Sequence, residues 1–407
     1  MSLVVQKYGG SSVADAGKMK NVARRIARTK DEGNQVIVTV SAMGKTTDGL
    51  IRLARQVSRR PSDREMDVLL HTGELVSSTL LAMALRDMGY EAISLSGAQA
   101  GIKTDAVHSR AKIVGIDPKR LVRELNKGKI IIVAGFQGIT DEMDVTTLGR
   151  GGSDTTAVAL AASLKADVCQ IYTDVDGVYT ADPRLVPEAR PLAEIGYEEM
   201  LELATYGAKV MHPRAVELGE LFNIPILVAS SFNDNPGTLI HGGVAMEVRN
   251  KVRGIAHDLN VAKITVVGAP DRPGTAATIF ETLAGANISI DTIVQNSSIE
   301  NNITDLSFTV DKGQSAAALE VVKPICQSIG ARECISDPSL GKVSIIGTGM
   351  QNTPGFAAKM FSALSKQGIN IQLITTSEIR ITCIIDAEKV TDAVKALHQA
   401  FEVEAED

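Results

Sequence analysis

The 407-residue sequence predicts an α/β protein: a three-layer αβα sandwich continued by a repeated α+β unit of ferredoxin type. Three observations carry that expectation. Up to about residue 242, short apolar, β-branched runs alternate with helical stretches; the last third of the chain matches itself; and glycine turns stand where strands pass into helices.

The elements follow in order. Leu3 to Tyr8 reads as a strand, ended by Gly9-Gly10-Ser11-Ser12 ahead of a helical stretch from about Asp15 to Thr29. A lysine, Lys7, at a strand end followed by glycines at a helix N-terminus has the parts of a phosphate cradle, backbone donors plus a mobile point charge. The GxxxxGK[ST] spacing of a P-loop is absent, and a terminal lysine kept for solubility would look the same. Gln35 to Ser41, Lys129 to Phe136, Val168 to Tyr172 and Ile224 to Ser230 are apolar enough to be buried central strands.

Thr147-Leu148-Gly149-Arg150-Gly151-Gly152-Ser153-Asp154-Thr155 sets one cation and one anion in a glycine turn, before a small, apolar helix from Thr155 to Lys165. Ser153 or Asp154 is expected to cap that helix. The glycines permit close backbone approach, and Arg150 can grip a carboxylate or phosphate with two parallel hydrogen bonds. An amino acid, with one carboxylate and one ammonium, would suit Arg150 with Asp154; a capping acid beside a solvated cation is the plainer alternative. After the strand at Val168, the run Tyr172 to Arg184 is dense in acids and turn residues. Loops at the carboxyl ends of strands are where open α/β sheets bind ligands. There Asp174 and Asp182 suit magnesium or ribose, Tyr179 a base and Arg184 a polyphosphate, while Asp176-Gly177 and Asp182-Pro183 also serve as turns. His241-Gly242-Gly243 reads as the exit from the sandwich.

In the last third, Gly268-Ala269-Pro270-Asp271-Arg272-Pro273-Gly274 aligns with Gly349-Met350-Gln351-Asn352-Thr353-Pro354-Gly355, each after an apolar strand and before an amphipathic helix. The match runs on through Phe280 and Phe361, Leu283 and Leu364, then Asn287-Ile288 against Asn370-Ile371 after a two-residue shift. Two βαββαβ units are implied. The second reaches its last helix, Glu388 to Phe401, with six residues left. Its fourth strand is therefore expected from Val252 to His257, which places the first unit inside the second.

Composition narrows the function. With 44% hydrophobic and 22% charged residues the chain is globular, with room for two or three cores. A net charge of −6, without a basic block, argues against nucleic acid and acidic membranes as partners. No apolar run of membrane-spanning length and no basic leader is read, so a cytoplasmic location is expected. Cys169, Cys326, Cys334 and Cys383 form no CxxC pair and read as free thiols; no cluster suggests a protein-bound metal.

Together, KYGGSS, TLGRGGSD and YTDVDGVYTADPR, in this order and spacing, resemble the aspartokinases of the amino acid kinase family, and the C-terminal repeat resembles a tandem pair of ACT domains. The resemblance covers essentially the whole chain. It implies a catalytic domain over 1–243, a linker over 244–260 that includes the possible strand, a first ACT domain over 261–338 and a second over 339–407. It implies ATP-dependent phosphorylation of the β-carboxylate of L-aspartate, the entry to lysine, threonine, methionine and isoleucine synthesis, with magnesium bridging the phosphates.

Residue by residue, the resemblance gives Lys7 the transferring phosphoryl, helped by Tyr8, Gly9 and Gly10, with Asp154 orienting it. Glu74 and Asp154 take the substrate ammonium, Arg150 the α-carboxylate, and Ser153 with Thr47 the β-carboxylate beside Gly151 and Gly152. Ser41, Thr173, Asp174, Tyr179, Asp182, Arg184 and Lys209 fall to the nucleotide. Lysine, threonine or both are expected near Asp271, Gly274, Ala276 and Gln295, and near Thr353, Phe356, Asn370 and Ile371. A homo-oligomer through the ACT domains is implied, as is a shorter regulatory subunit started at Met246. Ser11 stands where threonine is frequent, and the loop Lys45-Thr46-Thr47-Asp48 departs from many relatives. Kinases of glutamate, acetylglutamate or UMP share the glycine turns but generally lack both the repeat and the third motif. A sensor with an inactive kinase domain is opposed by intact Lys7, Arg150, Asp154 and Asp174. No dehydrogenase domain is expected after the repeat.

Overall fold

A computed structural model describes residues 2–208, 210–243, 252–297, 302–351 and 353–403. The chain divides into two compact units, Met1–Tyr179 with Pro191–Ala245, and Thr180–Arg190 with Met246–Asp407.

In the first unit, β1 (Leu3–Tyr8) leads to α1 (Ala16–Asp31) and β2 (Gln35–Val40), then to α2 (Thr46–Val57), α3 (Asp63–Leu70) and α4 (Thr72–Asp87). Next come β3 (Ala92–Leu95), β4 (Ile102–Thr104), β5 (Ile113–Ile116), α5 (Lys119–Leu125), β6 (Ile130–Ala134), β7 (Gln137–Ile139) and β8 (Val145–Thr147). The unit closes with α6 (Gly152–Leu164), β9 (Val168–Thr173), β10 (Glu194–Ile195), α7 (Tyr197–Tyr206), α8 (Pro213–Phe222), β11 (Ile226–Ser230) and β12 (Thr238–Ile240).

Eight strands form the central sheet in the order β10-β12-β11-β9-β1-β2-β6-β3, and β5-β4-β7-β8 make a small second sheet. Helix α1 buries Met19, Val22, Ala23, Ile26 and Ala27, a 3-4 spaced stripe, with Asp15 capping its start by accepting from Lys18 N at 2.9 Å. Met19, Val22, Ala23 and Ile26 of that stripe and Leu81, Ala82 and Leu85 of α4 share one core with Val36, Val38 and Val40 on one face of the sheet. Strand side chains alternate, so Lys7 and Thr39 point to the other face, that of α6. Helix α6 is buried on all sides from Gly152 to Ala161, which explains its run of small residues. The stretch Asp63–Asp87 is apolar and long enough to pass as a membrane span, which the sequence reading did not anticipate. It consists of α3 and α4 meeting at His71, and α4 packs on the sheet.

The second unit holds β13 (Gly254–Asp258), then β14 (Val261–Pro270), α9 (Thr275–Gly285), β15 (Ile293–Ser297), β16 (Ile303–Asp311), α10 (Ser315–Ile329) and β17 (Glu333–Asp337). It ends with β18 (Leu340–Ile346), α11 (Phe356–Lys366), β19 (Leu373–Thr376), β20 (Arg380–Asp386) and α12 (Val390–Ala400). The first βαββαβ repeat pairs as β15-β16-β14-β17 over a core of Ile264, Val266, Ile279, Leu283, Phe308 and Val322. The second pairs as β13-β18-β20-β19, with Gly254 opposite Ile346 and Asp258 opposite Lys342. Strand β13 thus stands where the second repeat needs its fourth strand, and the first repeat is threaded between β13 and β18. Residues 244–251 of the linker, Met246 among them, lie outside the described residues.

The division differs from the expected one at Thr180–Arg190, which groups with the second unit. Three hydrogen bonds within that unit explain it. Ile255 N donates to Thr180 O at 2.7 Å, Thr180 Oγ1 pairs with His398 Nε2 at 3.0 Å, and Arg190 Nη2 donates to Val403 O at 3.4 Å.

Candidate active site

Strand β1 lies between β2 and β9, and the chain moves outward from it in opposite directions, so the crevice beyond their carboxyl ends is a topological switch point. Lys7 sits there opposite Thr39 and Ile171. Its Nζ lies 2.6 Å from Asp154 Oδ1, and both side chains are nearly buried. A desolvated pair of this kind is weakly screened and fixed in place. Asp154 occupies the first turn of α6, where the helix dipole favours an anion.

The cap of α6 corrects the sequence expectation. Neither Ser153 nor Asp154 caps the helix; Gly151 does, in a left-handed conformation with φ +66°, and Ser153 and Asp154 lie inside the first turn. The turn must bend so tightly that only glycine follows it. A Cβ on Gly151 would stand 2.2 Å from His212 Cβ. Gly151→Ala is therefore expected to lower stability by about 2 kcal/mol or more, through positive φ and overpacking together. Unchanged thermal melting would contradict this geometry.

Glu74, in the first turn of α4, is buried; its Oε1 accepts from Ala42 N at 3.1 Å and its Oε2 has no partner. Burial pushes its carboxyl up to about 7, against which the Ala42 hydrogen bond works. A buried carboxylate oxygen left without a donor has an unmet demand that an ammonium group can satisfy. Arg150, by contrast, is exposed and makes no hydrogen bond or ion pair among the described residues. Ser153 is buried, close to Gly135. Ser41 N donates to Tyr8 O at 3.1 Å, and Ser41 O accepts from Ser77 Oγ at 2.8 Å, which fixes the end of β2 beside Glu74. Thr47 is half-buried in the first turn of α2, a helix with no buried residue.

Gly10 answers a close approach, since a Cβ on it would lie 2.7 Å from Ala42 O, whereas one on Gly9 would make only ordinary contact with Lys7 Nζ at 3.5 Å. Tyr8 has its ring in the core, stacked on Tyr172 at 5.0 Å with its hydroxyl on Gln6, so its side chain is withdrawn from the crevice. At the end of β9, Thr173 Oγ1 donates to Asp174 Oδ1 at 3.1 Å, and Asp174 is exposed. Tyr179 bridges to Pro191. Asp182 and Arg184, on the segment grouped with the second unit, pair through both carboxylate oxygens, and the guanidinium holds the Asp182 carboxyl below its usual range. Lys209 lies outside the described residues.

Several residues near these groups escaped the sequence reading. Thr39 Oγ1 is buried without a partner beside Lys7, and a lone hydroxyl in the run QVIVTV was its signal. Arg214 donates to Leu148 O at 2.9 Å and Ala111 O at 3.1 Å, and buried Asp67 accepts from Thr147 Oγ1 at 2.5 Å. Nothing in either local sequence announces those bonds.

In the second unit, Gln295 Nε2 reaches Asp271 Oδ1 at 3.4 Å, near Gly274, which opens α9 with φ +97°, and Ala276, which packs on that core. Thr353 and Phe356 line a cavity of about 280 Å³ with Met350, Ser377, Glu378 and Arg380. Asn370 and Ile371, before β19, do not line it.

Such an arrangement defines a class. The amino acid kinase family pattern matches residues 2–230, and ACT domain patterns match 263–327 and 343–401. Aspartokinase from Mycolicibacterium smegmatis is 52% identical over all of this chain and 98% of its own length, and that from Corynebacterium glutamicum is 50% identical over 100% and 98%. Among solved structures, Escherichia coli aspartokinase III in complex with aspartate and ADP superposes with a TM-score of 0.84 at 27% identity, covering 98% of this chain and 100% of that one. The chain belongs to the aspartokinases, enzymes of the amino acid kinase family that carry ACT domains.

Proposed function

We propose that this enzyme transfers the γ-phosphoryl group of ATP to the β-carboxylate of L-aspartate, giving 4-phospho-L-aspartate, the first step towards lysine, threonine, methionine and isoleucine. The observation that carries the reading is the Lys7–Asp154 pair at the switch point, joined in the same unit by a buried Glu74 whose second oxygen lacks a donor. Glu74 and Asp154 hold the substrate ammonium and Arg150 its α-carboxylate; Ser153 and Thr47 orient the β-carboxylate along Gly151 and Gly152. Lys7 neutralises charge on the moving phosphoryl, with Gly9 and Gly10 offering backbone donors, since phosphoryl transfer needs placement and electrostatics more than covalent help. Asp154 keeps the Lys7 ammonium aimed before substrate arrives.

Ser41, Thr173, Asp174 and Tyr179 are assigned to the nucleotide. For Asp182, Arg184 and Lys209 that assignment rests on the resemblance alone, and Tyr8 takes part through its backbone. Magnesium, carried with the nucleotide, would supply neutralisation of the phosphate charge. The fit is supported by a second observation: the superposable E. coli structure is of a complex with aspartate and ADP.

Lysine, threonine or both are proposed to inhibit through the ACT domains. Support comes from the Asp271–Gln295 contact, the cavity bearing Thr353 and Phe356, and an E. coli aspartokinase III structure in complex with lysine and aspartate, with a TM-score of 0.75 at 27% identity. A cytoplasmic homo-oligomer completes the proposal. Aspartyl hydroxamate formation with ATP, magnesium and L-aspartate, repeated with lysine, threonine and both, tests it. Turnover suppressed by an effector supports both halves. Folded, nucleotide-binding protein without turnover would remove the aspartate reading.

A further inference from the structure

The two groups proposed to hold opposite ends of the amino acid lie far apart in sequence, Glu74 at the start of α4 and Arg150 on the glycine turn. The turn is built from three glycines and its arginine is unanchored, so an ordered substrate site requires something else to fix its place. Buried Asp67, near the end of α3, does so from below. It accepts from Thr147 Oγ1 at 2.5 Å, Ser109 N at 3.0 Å and His108 Nδ1 at 2.8 Å. These bonds offset the cost of burying its carboxylate. A second tie runs parallel to the first. Gln137 Nε2 donates to His71 O at 3.0 Å, at the α3–α4 junction, and Gln137 stands directly opposite Thr147 in the β7–β8 pair. The α3–α4 segment and the hairpin that ends in the glycine turn are therefore fastened at two points: Asp67 to Thr147, three residues before Arg150, and His71, three residues before Glu74, to Gln137.

We infer that Asp67, through Thr147, is a positioning residue that sets the glycine turn relative to Glu74 and so tunes capture of the amino acid substrate rather than of the nucleotide. The inference rests on the reading of Glu74 and Arg150 as substrate ligands. Its physical basis is preorganisation: a turn held in its binding conformation loses less entropy when the ligand arrives.

The test uses the full chain with Thr147→Val, Thr147→Ser, Asp67→Asn and Arg150→Gln, measuring kcat, KM for aspartate, KM for ATP and thermal melting. Thr147→Val keeps the shape and removes the one hydroxyl donor, and it is expected to raise the aspartate KM about tenfold while the ATP KM stays within about twofold. Thr147→Ser, which restores the donor, should return near the parent value. Asp67→Asn should follow Thr147→Val; if it fails to fold, the Thr147 pair still decides. Equal shifts in both KM values, no shift, or Thr147→Ser behaving like Thr147→Val would overturn the inference. Arg150→Gln separates the two levels: an unchanged aspartate KM there removes the substrate-ligand reading, whereas a raised one beside a silent Thr147→Val removes the positioning role alone.

Discussion

Replacing Lys7 by methionine is expected to lower kcat about a thousandfold, with a smaller change in the aspartate KM. The magnitude follows from the job assigned to the ammonium. Deleting one preorganised charge or donor aimed at developing negative charge typically costs roughly 10² to 10³ in rate. Here the lysine is nearly buried and 2.6 Å from Asp154, so the substitution removes a charge that is held in a fixed place. The substitution also leaves Asp154 as a buried anion without its partner, which costs about 3 to 5 kcal/mol where burial is complete and less at a crevice open to water. Thermal melting must therefore accompany the rate measurement, and Lys7→Met combined with Asp154→Asn should melt higher than Lys7→Met alone. A Lys7→Met enzyme retaining a tenth of the parent rate would remove Lys7 from the transfer step.

The second large effect belongs to Glu74 and to pH. With its carboxyl raised to about 7, Glu74 is neutral in a growing fraction of free enzyme as pH falls, and a neutral acid does not hold an ammonium group. The aspartate KM is expected to be flat above about pH 7 and to rise roughly tenfold per unit below it, an order-of-magnitude slope set by a single titrating group. Glu74→Gln should raise the KM at pH 8 by about a hundredfold, as loss of a buried charge partner does, and abolish the slope. Stability moves the other way. A carboxyl whose folded value lies above its unfolded 4.5 binds more protons when folded, so its favourable share is complete below about 4.5 and is lost as pH rises through 7, by about 3 kcal/mol in all. The melting temperature of Glu74→Gln relative to the parent should thus climb between pH 5 and 8. A parallel pH course for the two proteins would show that Glu74 carries no such shift.

Much of the fold was legible because its signals are local. Val36, Val38 and Val40 declare a buried strand, the 3-4 stripe of α1 declares its face, and counting six residues after the last helix was enough to look upstream for a fourth strand, where β13 pairs with β18. The charged members of the site were legible only through the combination of motifs, since Glu74 by itself is an ordinary acid on an apolar helix. What could not be read is set by partners remote in sequence. Asp67 meets Thr147 across 80 residues and Arg214 meets Leu148 across 66, and neither local pattern hints at the other end. The cap of α6 misled for a different reason. Serine and aspartate are the usual capping residues, but the tight approach of His212 demands a left-handed residue, and glycine takes the position instead.

The excursion at Thr180–Arg190 has a bearing on how such an enzyme can be rebuilt. Because this stretch leaves the first unit at Tyr179, hydrogen-bonds with Ile255, His398 and Val403, and returns at Pro191, the second unit is not one continuous stretch of chain. A chimera made by a single crossover near residue 243 would carry one parent's excursion into another parent's β13 and α12. Exchanging the second unit between homologues therefore calls for three junctions, and recombination that respects only the C-terminal boundary is expected to select for compensating changes at Thr180 and Arg190.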